Sequence, residues 1–354
     1  MPTGHEPDHQ KLITGYCEPW SLRAGEEIEW FGSSHTPTSG VLEVVRLDCG
    51  DPTRSGPGFA EERVEEIGTR AIDLVEQPLT PGSYAEARLA GAAVSLQVTL
   101  WFQPTLLKRD GVVLSLSSDE AIIEIFNRGD ILMGRFGDSE EQVRERPLER
   151  HRWYFLQLNI DLSARSIEIN VMSPETVSPG RDLLQAGEET SKFETPELSF
   201  ADLVFRLAAG AGNSRWDGRI AEPTVVADEQ AYEWAFDDTM DGSVVQPLVG
   251  DISLELNQLP ARGVTGPTWT GQHQRWSDNP AEWNAIHFHH DDLYDAAWEP
   301  STKIGLPQGM DSGIYCFRFE SDLGIDRVPF FVRPAVGAAC ADVALLAPTC
   351  TYMA

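Results

Sequence analysis

Basic residues are scarce in this chain. Lys and Arg number 27 against 56 Asp and Glu, which gives a formal net charge of −29 at pH 7. A field of that sign repels phosphate backbones and anionic lipid surfaces. We therefore expect neither nucleic acid nor a membrane as a partner, and we expect a strongly hydrated acidic surface.

Long apolar runs are also lacking. No hydrophobic stretch approaches the length that spans a bilayer, and residues 1–10 are polar, without the apolar segment of a secretory signal. Cysteine is sparse, with five widely spaced residues and no Cys-x-x-Cys pair. Such scattered cysteines are typical of reduced, buried thiols. We therefore expect a cytoplasmic protein.

Local catalytic motifs are absent as well. The sequence contains no G-x-S-x-G, no H-E-x-x-H, no Walker-type phosphate loop and no dinucleotide-binding fingerprint. Enzymes that carry those signatures are therefore excluded as interpretations of this chain.

Strand periodicity is what the chain does have. Residues 94–102, V-S-L-Q-V-T-L-W-F, alternate apolar and polar side chains as a half-buried antiparallel strand does. Residues 153–160 and 165–171 predict a hairpin joined by 161–164. Strands at this spacing, with no helical period, predict a mainly β fold with a concanavalin A/laminin-G-like jelly roll over residues 85–276.

The flanking segments predict a second domain. Residues 11–84 contain short strands, too few to close a sandwich by themselves. Residues 312–319 and 328–332 supply strands of the same period. We therefore predict a discontinuous immunoglobulin-like β-sandwich made of residues 11–84 plus 284–334, into which the jelly roll is inserted.

The last part of the chain has a different pattern. Residues 341–349 are almost continuously apolar, which is typical of a buried strand in a parallel α/β sheet. We interpret residues 340–354 as the start of a truncated α/β catalytic domain, and the chain as a fragment. The alternative is an edge strand that completes one of the sandwiches.

The densest group of functional side chains lies at 284–299, N-A-I-H-F-H-H-D-D-L-Y-D-A-A-W-E. On a strand His287 and His289 share one face and could bind a metal, with Asp291 or Asp292 adding a carboxylate. In the structural alternative, which we favour, the aspartates cap backbone amides at a tight corner and a tryptophan covers it. This polar junction comprises His287, His289, His290, Asp291, Asp292, Tyr294, Asp295 and Trp298. We expect His287→Ala to lower folding stability more than it changes metal binding.

Several blocks of sequence resemble the large (beta) subunit family of N,N-dimethylformamidase. The most specific block is H-F-H-x-D-D-L-Y-D-A at residues 287–296. Others are found at Leu12–Cys17, Val45–Asp51, Gly56–Phe59, Pro260–Gly266, Ser312–Tyr315, Val328–Pro334 and Ala347–Tyr352. Together they run from near the start of the chain to its last residues.

This resemblance implies a chemistry that the residues alone do not. Members of the family hydrolyse N,N-dimethylformamide to dimethylamine and formate, and a small subunit binds beside the large one. The resemblance implies a ferric iron held by two tyrosines and a glutamate in an amidotransferase-like α/β domain. Tyr352 is the one residue of that set that we nominate here, with a buried sheet tyrosine as the alternative. No catalytic residue, and no cofactor bound by this chain alone, is expected.

We therefore interpret the chain as the N-terminal scaffold and assembly region of an N,N-dimethylformamidase-like amidohydrolase, inactive by itself. Its expected partners are its own missing catalytic domain, the small subunit and further copies of itself in a homo-oligomer. One alternative is a free-standing β-sandwich module that binds a glycan or a protein. Another is a related amidase that acts on another small amide. A fold of this class hosts many functions and does not decide between them.

Overall fold

The computed structural model describes residues 11–51, 53, 56–119, 122–177, 183–184, 186–195, 200–338 and 342–347. The chain divides into two compact units, the first formed by Met1–Leu79 with Ala297–Ala354 and the second by Thr80–Ala296. Strands dominate both, and two short 3-10 helices are the only helices in the described ranges. The predicted mainly β fold class is confirmed.

Six strands of the first unit come first in the chain: β1 Ile13–Glu18, β2 Ser21–Arg23, β3 Glu27–Ser34, β4 Thr38–Cys49, β5 Ala60–Arg63 and β6 Thr69–Leu74. The second unit contains β7 Tyr84–Ala93, β8 Ser95–Pro104, β9 Gly111–Ser117, β10 Ile122–Arg128, β11 Ile131–Phe136, β12 Ser139–Gln142, β13 Tyr154–Asp161, β14 Ser166–Ser173, β15 Thr176–Val177, β16 Leu183–Leu184, β17 Gly187–Glu194, β18 Phe200–Leu207, β19 Gly218–Ala227, β20 Gln230–Trp234, β21 Val244–Val245, β22 Pro247–Val249, β23 Leu254–Asn257, β24 Ala261–Val264, the 3-10 helices Trp276–Asp278 and Pro280–Glu282, and β25 Ala285–Phe288. The first unit then resumes with β26 Thr302–Gly305, β27 Gly313–Ser321 and β28 Gly324–Arg333.

The first unit is a sandwich of two sheets. One has the strand order β1-β3-β26, and the other has the order β2-β28-β27-β4-β5 with β6 also paired to β4. The period-two pattern of β27 turns Phe317 and Phe319 toward the core. The indole of Trp30 meets both rings there, at centroid distances of 6.4 Å and 5.5 Å. These aromatic side chains dominate the apolar area that the unit buries.

The second unit is also a two-sheet sandwich. An eight-stranded sheet has the order β12-β11-β10-β9-β18-β7-β23-β21. The larger sheet has the order β17-β14-β13-β8-β19-β20-β22, and β25 pairs with both β19 and β24 beside it. The hairpin predicted from the alternating pattern is present as β13 and β14, which meet at Asp161 and Ser166. One continuous apolar core lies between the two sheets.

The stretch 284–296 lies in the second unit, whereas the sequence prediction assigned it to the first domain. Ile286 and Phe288 are fully buried in the core of the second unit. Ile286 is the cross-strand partner of Ile220, which pairs with Phe102 on its other side. Burial of this apolar face outweighs the proximity of the stretch to the first unit along the chain.

The strand predicted at 341–349 is not formed by those of its residues that the structure describes. Residues 342–347 lie outside every strand, and Leu345 and Leu346 are 71% and 93% exposed. A strand of the parallel type needs partners on both edges and cover on both faces. No described residue supplies them here. Assignment of 340–354 to an α/β domain therefore stays a prediction.

Two cysteines of the first unit are buried. Burial raises the pKa of the Cys17 thiol to about 12 and that of Cys316 to about 11. At neutral pH both are therefore protonated, with little nucleophilic character. Cys340 and Cys350 lie outside the described residues. Among the described helices, none combines the length and the apolar character that crossing a membrane requires.

Replacement of Trp30 by alanine tests the core of the first unit. Because the indole is fully buried among aromatic rings, we expect Trp30→Ala to lower the free energy of unfolding by about 3–5 kcal/mol. Denaturant unfolding followed by circular dichroism measures this loss. Ile325→Ala is the matched control, since Ile325 is 49% exposed in the same unit. Equal losses in the two variants would contradict the proposed core.

Candidate functional site

The strand β25 positions the first of the predicted site residues. Because Ile286 and Phe288 point into the core, His287 points to the outer face of the sheet. Its Nε2 lies 3.2 Å from Thr105 Oγ1, and its ring centroid lies 3.9 Å from that of His289. Burial first, and then the positive charges of His289 and Arg219, lower the pKa of His287 to about 4. His287 is therefore neutral at neutral pH.

A serine and an aspartate fix the other imidazole. Ser83 Oγ donates a 2.6 Å hydrogen bond to Asp292 Oδ2, which lies 3.3 Å from His289 Nδ1. The His289 backbone N–H donates to Ser83 Oγ at 3.1 Å, and the Ser83 N–H donates to the His289 carbonyl at 2.9 Å. The hydrogen bond to Asp292 is the main cause of the raised pKa of His289. Burial alone would raise the pKa of Asp292, but its hydrogen bonds from His289 and Ser83 lower it overall.

Gly82 allows the two chain segments to approach each other. Its N–H donates a 2.7 Å hydrogen bond to the Asp292 carbonyl. Its φ is +99°, and a Cβ at this position would lie 2.8 Å from the His290 carbonyl oxygen and collide with the Arg215 side chain. Only glycine meets both requirements. The segment Pro81-Gly82-Ser83 thus forms one side of this site.

His290 turns to a different partner. Its Nδ1 lies 2.8 Å from Asp217 Oδ1, and its N–H donates to the same oxygen at 3.2 Å. With the exposed Asp291, these residues are the one group in the described ranges that brings three His, Cys, Asp or Glu ligand atoms within 4.8 Å of one another. The Asp217 oxygen already accepts from His290. The group is thus held together by its own hydrogen bonds, and we assign no metal to it.

The remaining junction residues separate into two places. Gln258 Oε1 accepts hydrogen bonds from the backbone N–H groups of Tyr294 and Asp295 at 2.7 Å and 3.0 Å. The Tyr294 side chain is 73% exposed. Trp298 belongs to the first unit, where its Nε1 donates to the Pro78 carbonyl. The expected cover of the aspartate corner by Trp298 stays a prediction.

His287, His289 and Tyr352 were the residues predicted as possible metal ligands. Neither His287 nor His289 belongs to the group with clustered ligand atoms, because their ring nitrogens are turned to Thr105 and Asp292. Tyr352 lies outside the described residues. Burial raises the pKa of Tyr154 and of Tyr315, which opposes the deprotonation that a ferric ligand requires. Tyr154 and Tyr315 are therefore poorly suited to be the tyrosinate ligands of such an iron site.

Chemically, the site is suited to holding chain segments together. Ser83 is fully buried, so its oxygen is not accessible to a substrate, and the lowered pKa of Asp292, to which it donates, makes that carboxylate a weak base. Asp292 stabilises a protonated His289, since each group shifts the pKa of the other toward its charged form. Ser83, Thr105 and Asp217 were not predicted as site residues. Their positions in the sequence contain no signal that links them to residues 287–292.

Comparisons with a protein-family model and with individual proteins lead to the same group of relatives. Residues 261–354 match the family model described as N,N-dimethylformamidase beta subunit-like, C-terminal. The N,N-dimethylformamidase beta subunit of Paracoccus aminophilus is 28% identical over 404 residues, and the one of Alcaligenes sp is 25% identical over 399. Each alignment covers 97% of this chain and 52% of the other protein. This chain is a relative of the N,N-dimethylformamidase beta subunits.

The predicted resemblance to the N,N-dimethylformamidase beta subunits is therefore confirmed. The chain spans about half the length of the relatives it matches. Among solved structures it is similar to a SAP-like pentraxin from Limulus polyphemus, at 10% identity and a TM-score of 0.31, over 52% of this chain and 75% of that one. Domains LG4-5 of the mouse laminin alpha1 chain give 15% identity and a TM-score of 0.30, over 52% and 50%. Likenesses this distant carry no information on ligands.

Removal of the buried serine hydroxyl tests the hydrogen-bond network. Ser83→Ala removes one of the two hydrogen-bond partners of Asp292 Oδ2 and leaves the His289 N–H without its acceptor. We expect a loss of roughly 1–3 kcal/mol in the free energy of unfolding of the second unit. Ser163→Ala, at an exposed turn between β13 and β14, is the control in the same denaturant titration. A Ser83→Ala protein as stable as this control would contradict the network.

The pH dependence of stability tests the state of His287. Its folded pKa of about 4 lies below its ordinary value of 6.5, so between these values the unfolded chain binds more protons. The contribution of His287 to the free energy of unfolding therefore falls as the pH drops from 6.5 to 4. The raised pKa of His289 acts in the opposite sense, because its stabilisation is complete below 6.5 and is lost as the pH rises through the folded value.

We expect His287→Asn to reduce the slope of stability against pH between 6.5 and 4. Chemical denaturation at several pH values measures this slope. His273→Asn is the control, since the His273 imidazole faces Glu282 instead. A slope that is unchanged in His287→Asn but altered in the control would contradict the assignment.

Proposed function

We propose that this chain is the scaffold and assembly region of an N,N-dimethylformamidase-like amidohydrolase. The observation that carries the proposal is the similarity to two beta subunits over 97% of the chain. A match of that extent includes both units, so it concerns the whole architecture and not one motif. The reaction of the complete enzyme would be hydrolysis of a small amide to an amine and formate.

The described residues support a structural role within that enzyme. The densest polar group uses its side chains in hydrogen bonds among Ser83, His289 and Asp292. Nucleophile, iron ligands and general base would then come from a catalytic domain that the relatives, at nearly twice the aligned length, have room to contain. We propose no catalytic step for any residue of this chain.

The proposed partners follow from the same relationship. The relatives are named as beta subunits, and a subunit name implies at least one other kind of subunit. We propose that this chain supports its own catalytic domain, binds a small subunit and assembles with further copies of itself. The buried, protonated Cys17 and Cys316 suit the reducing cytoplasm, where we place the enzyme.

Activity and iron content test the proposal together. The 354-residue chain is purified alone, and the polypeptide encoded when the gene is read past codon 354 is produced with its small subunit. We expect the longer protein to release dimethylamine from N,N-dimethylformamide and to contain iron. The 354-residue chain should do neither, because Tyr154 and Tyr315 are poorly suited to bind iron.

Three results would count against this. One iron per 354-residue chain, or amide hydrolysis by that chain, would contradict the scaffold role. A stop codon directly after Ala354 would remove the catalytic domain from the same polypeptide. A longer protein that hydrolyses other small amides but not dimethylformamide would contradict the substrate while leaving the scaffold role intact.

A further inference from the structure

Arginine and histidine side chains gather on the outer face of the larger sheet, in a chain whose net charge is −29. Arg219 on β19 and His287 on β25 are direct cross-strand partners. Their neighbours Ile220 and Ile286 enter the core, so alternation turns Arg219 and His287 outward together. Gln103 on β8 continues the same row on the other side of Arg219.

The loops around this row add the side chains of Arg150 and His151. Arg150 Nε donates a 2.8 Å hydrogen bond to the Thr105 carbonyl, and Thr105 Oγ1 lies 3.2 Å from His287 Nε2. The His151 carbonyl accepts a 3.1 Å hydrogen bond from Gln103 Nε2. With His289, whose ring centroid lies 3.9 Å from that of His287, this arrangement forms what we term the cationic patch: Arg150, His151, Arg219, His287 and His289.

Arg219 has hydrogen bonds but no counter-ion. Its Nη1 donates to Thr265 Oγ1 at 2.6 Å and to the Thr265 carbonyl at 3.3 Å, while its Nε is buried without a hydrogen-bond partner. Within the described ranges, neither Arg219 nor Arg150 has a carboxylate oxygen within 4.0 Å. A partly desolvated guanidinium without an opposite charge is unfavourable.

Two histidines of the patch, His151 and His287, have pKa values that neighbouring arginines help to lower. Burial, followed by Arg150 and Arg219, lowers the pKa of His151. Arg219 also contributes to the lowered pKa of His287.

Asp292 acts to raise the pKa of both His287 and His289, and Asp217 and Asp291 also act to raise that of His289. The Asp292 carboxylate is held by Ser83 and His289, and Asp217 is held by His290. Among the described residues, the positive charge of the two arginines is thus left without a carboxylate counter-ion.

We propose that the cationic patch binds a carboxylate, with Arg219 as the main recognition group and Arg150 as the second. A guanidinium presents planar paired donors that match the two carboxylate oxygens. Arg150 and His151 are exposed, whereas Arg219 and His287 are half-buried, so a ligand can reach the patch from solvent and lose part of its hydration there. The carboxylate is either a small free acid or an acidic side chain of another protein segment.

Two probes separate these sources. Formate replaces chloride stepwise at constant ionic strength while the melting temperature is recorded, and a labelled peptide of six glutamates is titrated by fluorescence anisotropy. We expect at least one probe to bind the wild-type chain. Arg219→Gln should then weaken that binding roughly tenfold or more, because a charge-assisted contact is lost.

Two further variants, at Arg150 and at Arg88, control for impaired folding and for the change in net charge. Arg150→Gln alters an exposed side chain and should weaken binding even if Arg219→Gln impairs folding. Arg88→Gln removes the same charge from the same unit at a site 75% exposed and paired with Glu86, and it should bind as wild type does. Response to formate alone assigns the site to a small acid, and response to the peptide alone assigns it to a protein segment. Failure of both probes, or wild-type binding in both Arg219→Gln and Arg150→Gln, overturns the proposal.

Discussion

Burial of Ile286 and Phe288 in the second unit is the constraint on which the rest of the polar junction depends. Burial of these two side chains fixes the position of β25 beside β19. His287 lies between them in the strand and must therefore point outward, beside Arg219. The chain that follows must then turn at His289, where it meets Gly82 and Ser83. An apolar burial of two side chains thus determines where the imidazoles and carboxylates lie.

The same constraint brings the two ends of the second unit together. Ser83 and Asp292 are 209 residues apart in the chain, yet they share a 2.6 Å hydrogen bond. Gln258 adds hydrogen bonds to the carbonyls of Thr80 and Asp295 at the same ends. Adjacent ends are what allow one compact unit to be inserted within another chain segment. The histidine-rich stretch therefore closes the inserted unit.

Because these polar groups hold the two ends of the inserted unit together, a dense cluster of histidines and aspartates need not be a catalytic site. The buried hydroxyl, the carboxylate and the imidazole form hydrogen bonds with one another, and a connected polar network of this kind helps to make a local structure unique. Arg219 differs, since no described residue places a carboxylate against its charge. The contrast between satisfied and unsatisfied groups, more than their density along the chain, separates scaffold from binding surface.

Much of the strand pattern, the mainly β class and the family resemblance followed from the sequence by itself. Period-two alternation and turn residues act between near neighbours, as in the β13–β14 hairpin, so local patterns predicted them well. The partners of His287, His289 and His290 did not follow, because Thr105, Ser83 and Asp217 are distant in the chain. Which unit takes up β25 was decided by competition between two cores for Ile286 and Phe288. Only the tertiary structure decides such a competition, because the burial of each side chain depends on all the strands that surround it.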